Sequence, residues 1–169
     1  MVRQVLSRAQ RFALADRAYR WVQTIRRLNT HEAVARGTEL ESILPRDDVH
    51  MLMLALQHLS KCARLVMRAG EPLPGGKELL AAWAQIKEIR NAFEHEEEHI
   101  SGTARRQDRL ASPDWMDDGL FLDVALTIDD DGLKEVLFMG KRYEVRSAVA
   151  AAVGLDEPLL ALRRKLQQE

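Results

Sequence analysis

The sequence predicts a mainly α protein, an antiparallel helical bundle with an appended β-hairpin and a C-terminal helix. Three observations carry that expectation. Apolar residues recur at three- and four-residue steps through residues 3–100. Over 120–128 they recur at every second residue instead, and an Asp-Asp-Asp-Gly turn follows. The helical period then returns from Ser147 to the end. A chain of 169 residues suits one domain. Its expected parts are a three-helix core over 1–102, the hairpin over 113–145 and the C-terminal helix over 146–169.

The first helix is expected over about 3–36, where Val5, Ala9, Phe12, Tyr19 and Val22 share a face without an internal Gly or Pro. Gly37 is a natural stop, and Pro45 marks the loop beyond it. The second helix runs from Asp47 or Asp48, either able to cap it, to Gly70. Val49, Leu52, Leu56, Leu59, Ala63 and Val66 form one stripe, and Met51, Leu54, Ala55, Cys62 and Leu65 a second beside it. So much apolar circumference suits a central or interface helix. A third helix is expected from Lys77 to about Ile100, with Leu79, Trp83, Ile86, Phe93 and Ile100 on its core face. Arg90 falls inside that stripe. Leu120 to Ile128 alternate as a strand, residues 129–132 turn, and Leu133–Met139 return. A short third strand is expected over Arg142–Val145. The last helix breaks near Gly154 and restarts at Asp156-Glu157-Pro158.

The composition, 46% hydrophobic and 30% charged, is that of a globular chain rather than a disordered one. No stretch approaches the ~20 apolar residues that span a bilayer. Arginines interrupt the N-terminus where a signal peptide would need an apolar run. Cys62, the single cysteine, can form neither an internal disulfide nor a Cys-rich metal site. The expectation is a cytoplasmic protein with no membrane partner.

Net charge is −1, but its distribution is uneven. The first 27 residues hold seven arginines (Arg3, Arg8, Arg11, Arg17, Arg20, Arg26, Arg27) and one acid, Asp16. Beside Phe12, Tyr19 and Trp21 these could engage phosphates; the plainer reading is the solvated face of an amphipathic helix. Residues 94–98 hold four glutamates, and 114–131 hold seven aspartates with no basic residue. His50 and His58, set among Met and Leu, read as packing or interface residues rather than ligands.

Residues 90–99, RNAFEHEEEH, hold two overlapping signatures. From His95 the stretch reads His-Glu-x-x-His, which places His95 and His99 one turn apart as zinc-peptidase helices do. A catalytic zinc needs a third ligand, no histidine follows His99, and Glu97 and Glu98 stand where such helices pack. No metal and no cofactor are therefore expected. From Arg90 the stretch reads Arg-Asn-x-x-x-His. At about 100° per residue Arg90 lies level with the core face and Asn91 and His95 lie on the flank, one turn apart.

Arg90, Asn91 and His95 resemble, position by position, the motif of the HEPN superfamily: an arginine, a polar residue directly after it, and a histidine four to six residues beyond the arginine. The setting, late on a long helix of an antiparallel bundle, is similar too, so the expected bundle is HEPN-like over residues 3–100. The resemblance implies a metal-independent endoribonuclease, such as the toxin or effector of a bacterial toxin–antitoxin or defence system. It implies Arg90 and His95 as catalytic residues, Asn91 and Glu94 as supporting ones, a homodimer through the motif helix, RNA as substrate and a cognate antitoxin protein as partner. Imidazole titrates near neutrality and guanidinium offers a planar set of donors to phosphate, so the chemistry is coherent. The acidic run Glu94, Glu96, Glu97 and Glu98 would oppose RNA by charge repulsion. Pairing of Arg90 with Glu94 would make the constellation structural. The alternative is thus a non-catalytic HEPN-like dimeric module that binds a protein partner or a nucleotide.

Overall fold

The computed structural model describes residues 6–29, 46–94, 125–129, 132–138 and 141–169. In chain order the elements are helices α1 (Arg8–Leu28), α2 (Arg46–Arg68) and α3 (Gly76–Glu94), strands β1 (Ala125–Asp129), β2 (Gly132–Phe138) and β3 (Lys141–Glu144), and helices α4 (Arg146–Val153) and α5 (Asp156–Gln168). The expected class, a helical bundle with an appended hairpin and a closing helix, is the one observed.

Ser7 sets the start of α1, five residues later than the apolar period suggests. Its hydroxyl accepts from the Gln10 amide at 3.2 Å while the Gln10 side chain accepts from the Ser7 amide at 2.9 Å, a reciprocal capping box. The helix ends at Leu28, and Asn29 turns back to Ile25. Residues 30–36, expected as its continuation, lie outside the described set. Its buried face also differs from the expected one. Ala15, Ala18, Val22 and Ile25 are fully buried, Phe12 and Tyr19 only flank the core, and Ala9 is exposed. Small residues at the contact let α2 approach closely, and the rings then close over its edges.

α2 is the central helix, packed against both α1 and α3. The first expected stripe is buried throughout, from Val49 to Val66. The second divides: Ala55 and Cys62 are buried, whereas Met51 is 44% and Leu65 40% exposed. Arg46 is already helical, so Asp47 and Asp48 lie in the first turn rather than at the cap. At the other end the chain reverses at Gly70, whose φ of 88° suits glycine alone, and Glu71 N–H bonds back to the Val66 carbonyl at 3.3 Å.

The described part of α3 buries Leu79, Trp83, Ile86 and Ile89. Phe93 and Ile100 cannot be placed on that face, since the side chain of the first and the whole of the second fall outside the described residues.

The three strands form an antiparallel sheet in the order β1-β2-β3. Asp129 pairs with Gly132, so the turn encloses two residues. One register shift marks a bulge: Thr127 pairs with Glu135 and Ile128 with Leu133, which leaves Lys134 as the extra residue. This explains why Leu133 and Val136, three apart, are both buried. The Lys134 carbonyl accepts from Val145 N–H at 2.9 Å, and Leu133 N–H donates to the Asn29 side chain at 3.1 Å. The sheet is thereby tied to the start of α4 and the end of α1.

α4 and α5 are separated at Gly154 and Leu155, as the sequence suggests, and Leu155 is fully buried in the break. Pro158 is the third residue of α5, inside the first turn where a missing N–H costs nothing. Leu159, Leu162 and Leu166 seat α5 in the core. α5 lies antiparallel to α1: Arg8 reaches the Leu166 and Gln167 carbonyls, both at 2.7 Å, while Arg26 at the other end of α1 pairs with Asp156.

Candidate functional site

The motif helix α3 carries Arg90 on its last described turn. Arg90 is half-buried, with its Nε shielded from solvent, and its Nη1 donates to the Oδ1 of exposed Asn91 at 3.0 Å. Asn91, expected to orient the imidazole or touch phosphate, here steadies the guanidinium. Glu94 closes the helix backbone. Its side chain and all of His95 lie outside the described residues, so the expected Arg90–His95 pairing and the rival Arg90–Glu94 pairing fall there as well.

Behind this helix, β3 and α4 pack against α3. Tyr143 of β3 is buried, and desolvation, with the nearby negative charge of Glu88 on α3, pushes its phenol up to about 12. A neutral phenol therefore sits against α3 at any ordinary pH.

The N-terminal arginines divide into two sets. Arg8 caps the α5 carbonyls, Arg11 pairs with Glu71, and Arg26 pairs with Asp156, which also accepts from Gln23 at 2.6 Å. Asp16 accepts from Arg20 at 2.9 Å and from Arg163 of α5 at 2.7 Å, and the Arg163 guanidinium lies 4.6 Å above the Tyr19 ring. Much of the basic stretch thus cements α1 to α5. The phosphate-binding reading of that stretch loses these residues.

Glu71 is the acid the sequence did not flag. Its side chain is 5% exposed and accepts from both Arg11 and Lys165, the latter at 3.0 Å. Glu169 stands 3.6 Å from each of the same two cations. Burial pushes the Glu71 carboxyl up, but the hydrogen bonds and charges of Lys165 and Arg11 outweigh it and hold the group below its ordinary value. Only its place after Gly70, the residue that ends α2, hinted at a fixed position.

On the opposite side of α1, Trp21 stacks on His58 of α2, with centroids 4.9 Å apart and planes inclined by 10°. His58 therefore packs against α1. Burial raises the Cys62 thiol, opposed by the nearby charge of Arg17. Among the described residues no cluster of His, Cys, Asp and Glu could hold a metal, and no helix is long and apolar enough to cross a membrane. His99 and the zinc signature fall outside them.

No protein-family model matches the chain, and neither do the curated proteins or the solved structures with which it was compared.

Proposed function

We propose that the chain is a HEPN-type, metal-independent endoribonuclease, acting as the toxin or effector of a bacterial defence pair. The observation in its favour is Arg90: a half-buried guanidinium late on a long bundle helix, held on one side by Asn91. A guanidinium presents a planar set of donors, the geometry that grips a phosphodiester. In this reading His95 takes the proton of an RNA 2′-hydroxyl. The oxygen attacks the adjacent phosphorus, the bond to the 5′ oxygen breaks as that oxygen takes up a proton from solvent, and Arg90 stabilises the charge that gathers on the phosphoryl oxygens. Products would be a 2′,3′-cyclic phosphate and a 5′-hydroxyl end, with no metal required. At about 100° per residue a continuous helix would turn Arg90 and His95 apart, so in this reading a homodimer bringing two motif helices together completes each site.

The experiment is RNA cleavage in EDTA by the wild type, Arg90→Ala and His95→Ala, each checked for helical content. Cleavage by the wild type, lost by at least 100-fold in both variants, supports the reading. Cleavage of equal rate in all three proteins rejects it.

One observation favours the alternative of a non-catalytic dimeric module. Met51 and Leu65 stand exposed on the central helix, and three of the N-terminal arginines are engaged within the fold. That reading expects self-association without RNA cleavage at any protein concentration.

A further inference from the structure

Helices α1 and α2 pack antiparallel in a register fixed by two contacts. Trp21 stacks on His58, and Arg17, four residues earlier, lies near enough to Cys62, four residues later, for its charge to act on the thiol. Extending that register by seven residues each way sets Leu14 level with Leu65 and Leu28 level with Met51. Two runs of heptad spacing thus coincide: Leu14, Trp21 and Leu28 on one helix, Met51, His58 and Leu65 on the other. At about 100° per residue each trio stays within about 40° of one helix face, and the α2 trio lies within about 60° of Cys62, which faces α1. Leu14, Trp21, Leu28 and His58 are half-buried, whereas Met51 and Leu65 are the two exposed large apolar side chains among the described residues. At ~1.5 Å of rise per residue the three rungs extend along about 21 Å, or about four turns of helix.

Single exposed apolar residues are ordinary on a protein surface. Two features set this seam apart. Its step of seven, repeated on both helices, is the spacing at which a third helix lays its side chains into the groove between them. The second feature is the charge on its two banks. On the α1 bank, Arg17 stands three residues after Leu14 and four before Trp21. On the α2 bank, Lys61 and Arg68 stand one turn before and one turn after Leu65, on its outward side. All three cations are exposed, and none pairs with an acid among the described residues. From Val49 to Arg68 α2 has no acid, and Asp16, the one acid of α1, is engaged by Arg20 and by Arg163 on the α5 side. A second copy of the chain would bring the same acid-free surface and leave these cations without a carboxylate. A helix with acidic flanks meets both the apolar seam and its banks.

We propose that the groove between α1 and α2, lined by the rungs Leu14–Leu65, Trp21–His58 and Leu28–Met51, is a docking site for an amphipathic helix of a partner protein, with apolar residues in heptads and acidic residues on its flanks. The rungs supply the apolar contact, while Arg17, Lys61 and Arg68 choose the sign of the partner's flanks. The proposal is independent of the chemistry at Arg90.

The test is fluorescence-anisotropy titration of two labelled synthetic helices, each about three heptads long, with the full chain. Both carry leucine at the a and d positions. One has glutamate at e and g and the other lysine, and these like charges also keep each peptide from pairing with itself. The glutamate helix should bind, and the lysine helix should bind about tenfold more weakly or worse. Met51→Ser combined with Leu65→Ser should weaken the glutamate helix by about tenfold. Lys61→Glu combined with Arg68→Glu should narrow or reverse the preference between the two peptides. Helical content is checked in each variant; if the serine pair unfolds, the charge pair, confined to exposed residues, tests the same groove.

The proposal is overturned if neither helix binds, if the two bind alike, if the folded serine variant binds as the wild type does, or if the charge variant keeps the full preference. Sedimentation of the chain alone supplies one further arm. A dimer that dissociates on Met51→Ser with Leu65→Ser would assign the groove to a second copy and overturn the proposal as well.

Discussion

The two long faces of α1 carry the same residue type to opposite ends. Toward α5, Arg8, Arg11 and Arg26 meet carbonyls and carboxylates and become part of the fold. Toward α2, exposed Arg17 lies near enough to Cys62 for its charge to act on the thiol, beside a helix without acids from Val49 to Arg68. Net charge and arginine count treat these residues alike. What separates them is what stands opposite: Glu71 in the turn after α2, with Asp156 and the C-terminal carbonyls of α5, lies within reach of one set, whereas α2 carries no acid from Val49 to Arg68. A cation beside a buried acid contributes stability; an exposed cation without an acid contributes little.

Three measurements would break or sharpen this contrast. The largest effect is expected at Glu71. Glu71→Ala removes the acceptor of two cations at a buried site, and urea unfolding should show a loss of about 2–3 kcal/mol, below the cost of a fully buried pair because Lys165 is half exposed. The same carboxyl gives the seam its pH dependence. Its value in the folded protein lies below the ordinary one, so its contribution is complete above the unfolded value of about 4.3 and disappears as pH falls through the lower folded value. Glu71→Gln should therefore show a shallower acid limb than the wild type; identical limbs would mean that Glu71 is not the group responsible.

A smaller effect is expected at Asp156, which pairs with Arg26 and Gln23 and sits in the first turn of α5, where a negative charge suits the helix dipole. Asp156→Ala should cost about 1 kcal/mol, since its carboxylate is 19% exposed where that of Glu71 is 5%. A cost matching that of Glu71→Ala would argue that burial does not set the ranking. The smallest is expected on the other face. Arg64→Ala or Arg68→Ala should leave stability within ~0.5 kcal/mol, and a drop beyond 1 kcal/mol would show that this face too is structural.

Much of the architecture was legible in periodicity. The switch from a step of three and four to a step of two located the sheet, and the Gly154 break and its restart at Asp156 were readable to the residue. Helix ends were less so. Ser7 with Gln10 is a local signal stronger than the apolar pattern that overran it. The large rings of α1 suggest a different buried face from the one that forms, because close helix contact favours the small Ala15 and Ala18. Periodicity put Arg90 at the α3 stripe, and the structure has it half-buried there with its Nη1 on Asn91. Glu71 could not be found, because a buried acid is marked by partners 60 and 94 residues away rather than by its neighbours. The acid-free stretch of α2, 20 of its 23 residues, likewise makes no motif.

The bond from Arg8 to the Leu166 carbonyl joins residues 158 positions apart. Such a contact is expensive to close and forms late, after the local helices and the α1–α2 pairing have reduced the loop entropy that opposes it. During synthesis at ~5–20 residues per second, α1 waits several seconds or more for its second partner. Through that interval Arg8 and Arg26 have no α5 to engage, whereas Arg11 already has Glu71 within the earlier chain. Docking of the last helix is thus also the step that gives the two ends of α1 their partners.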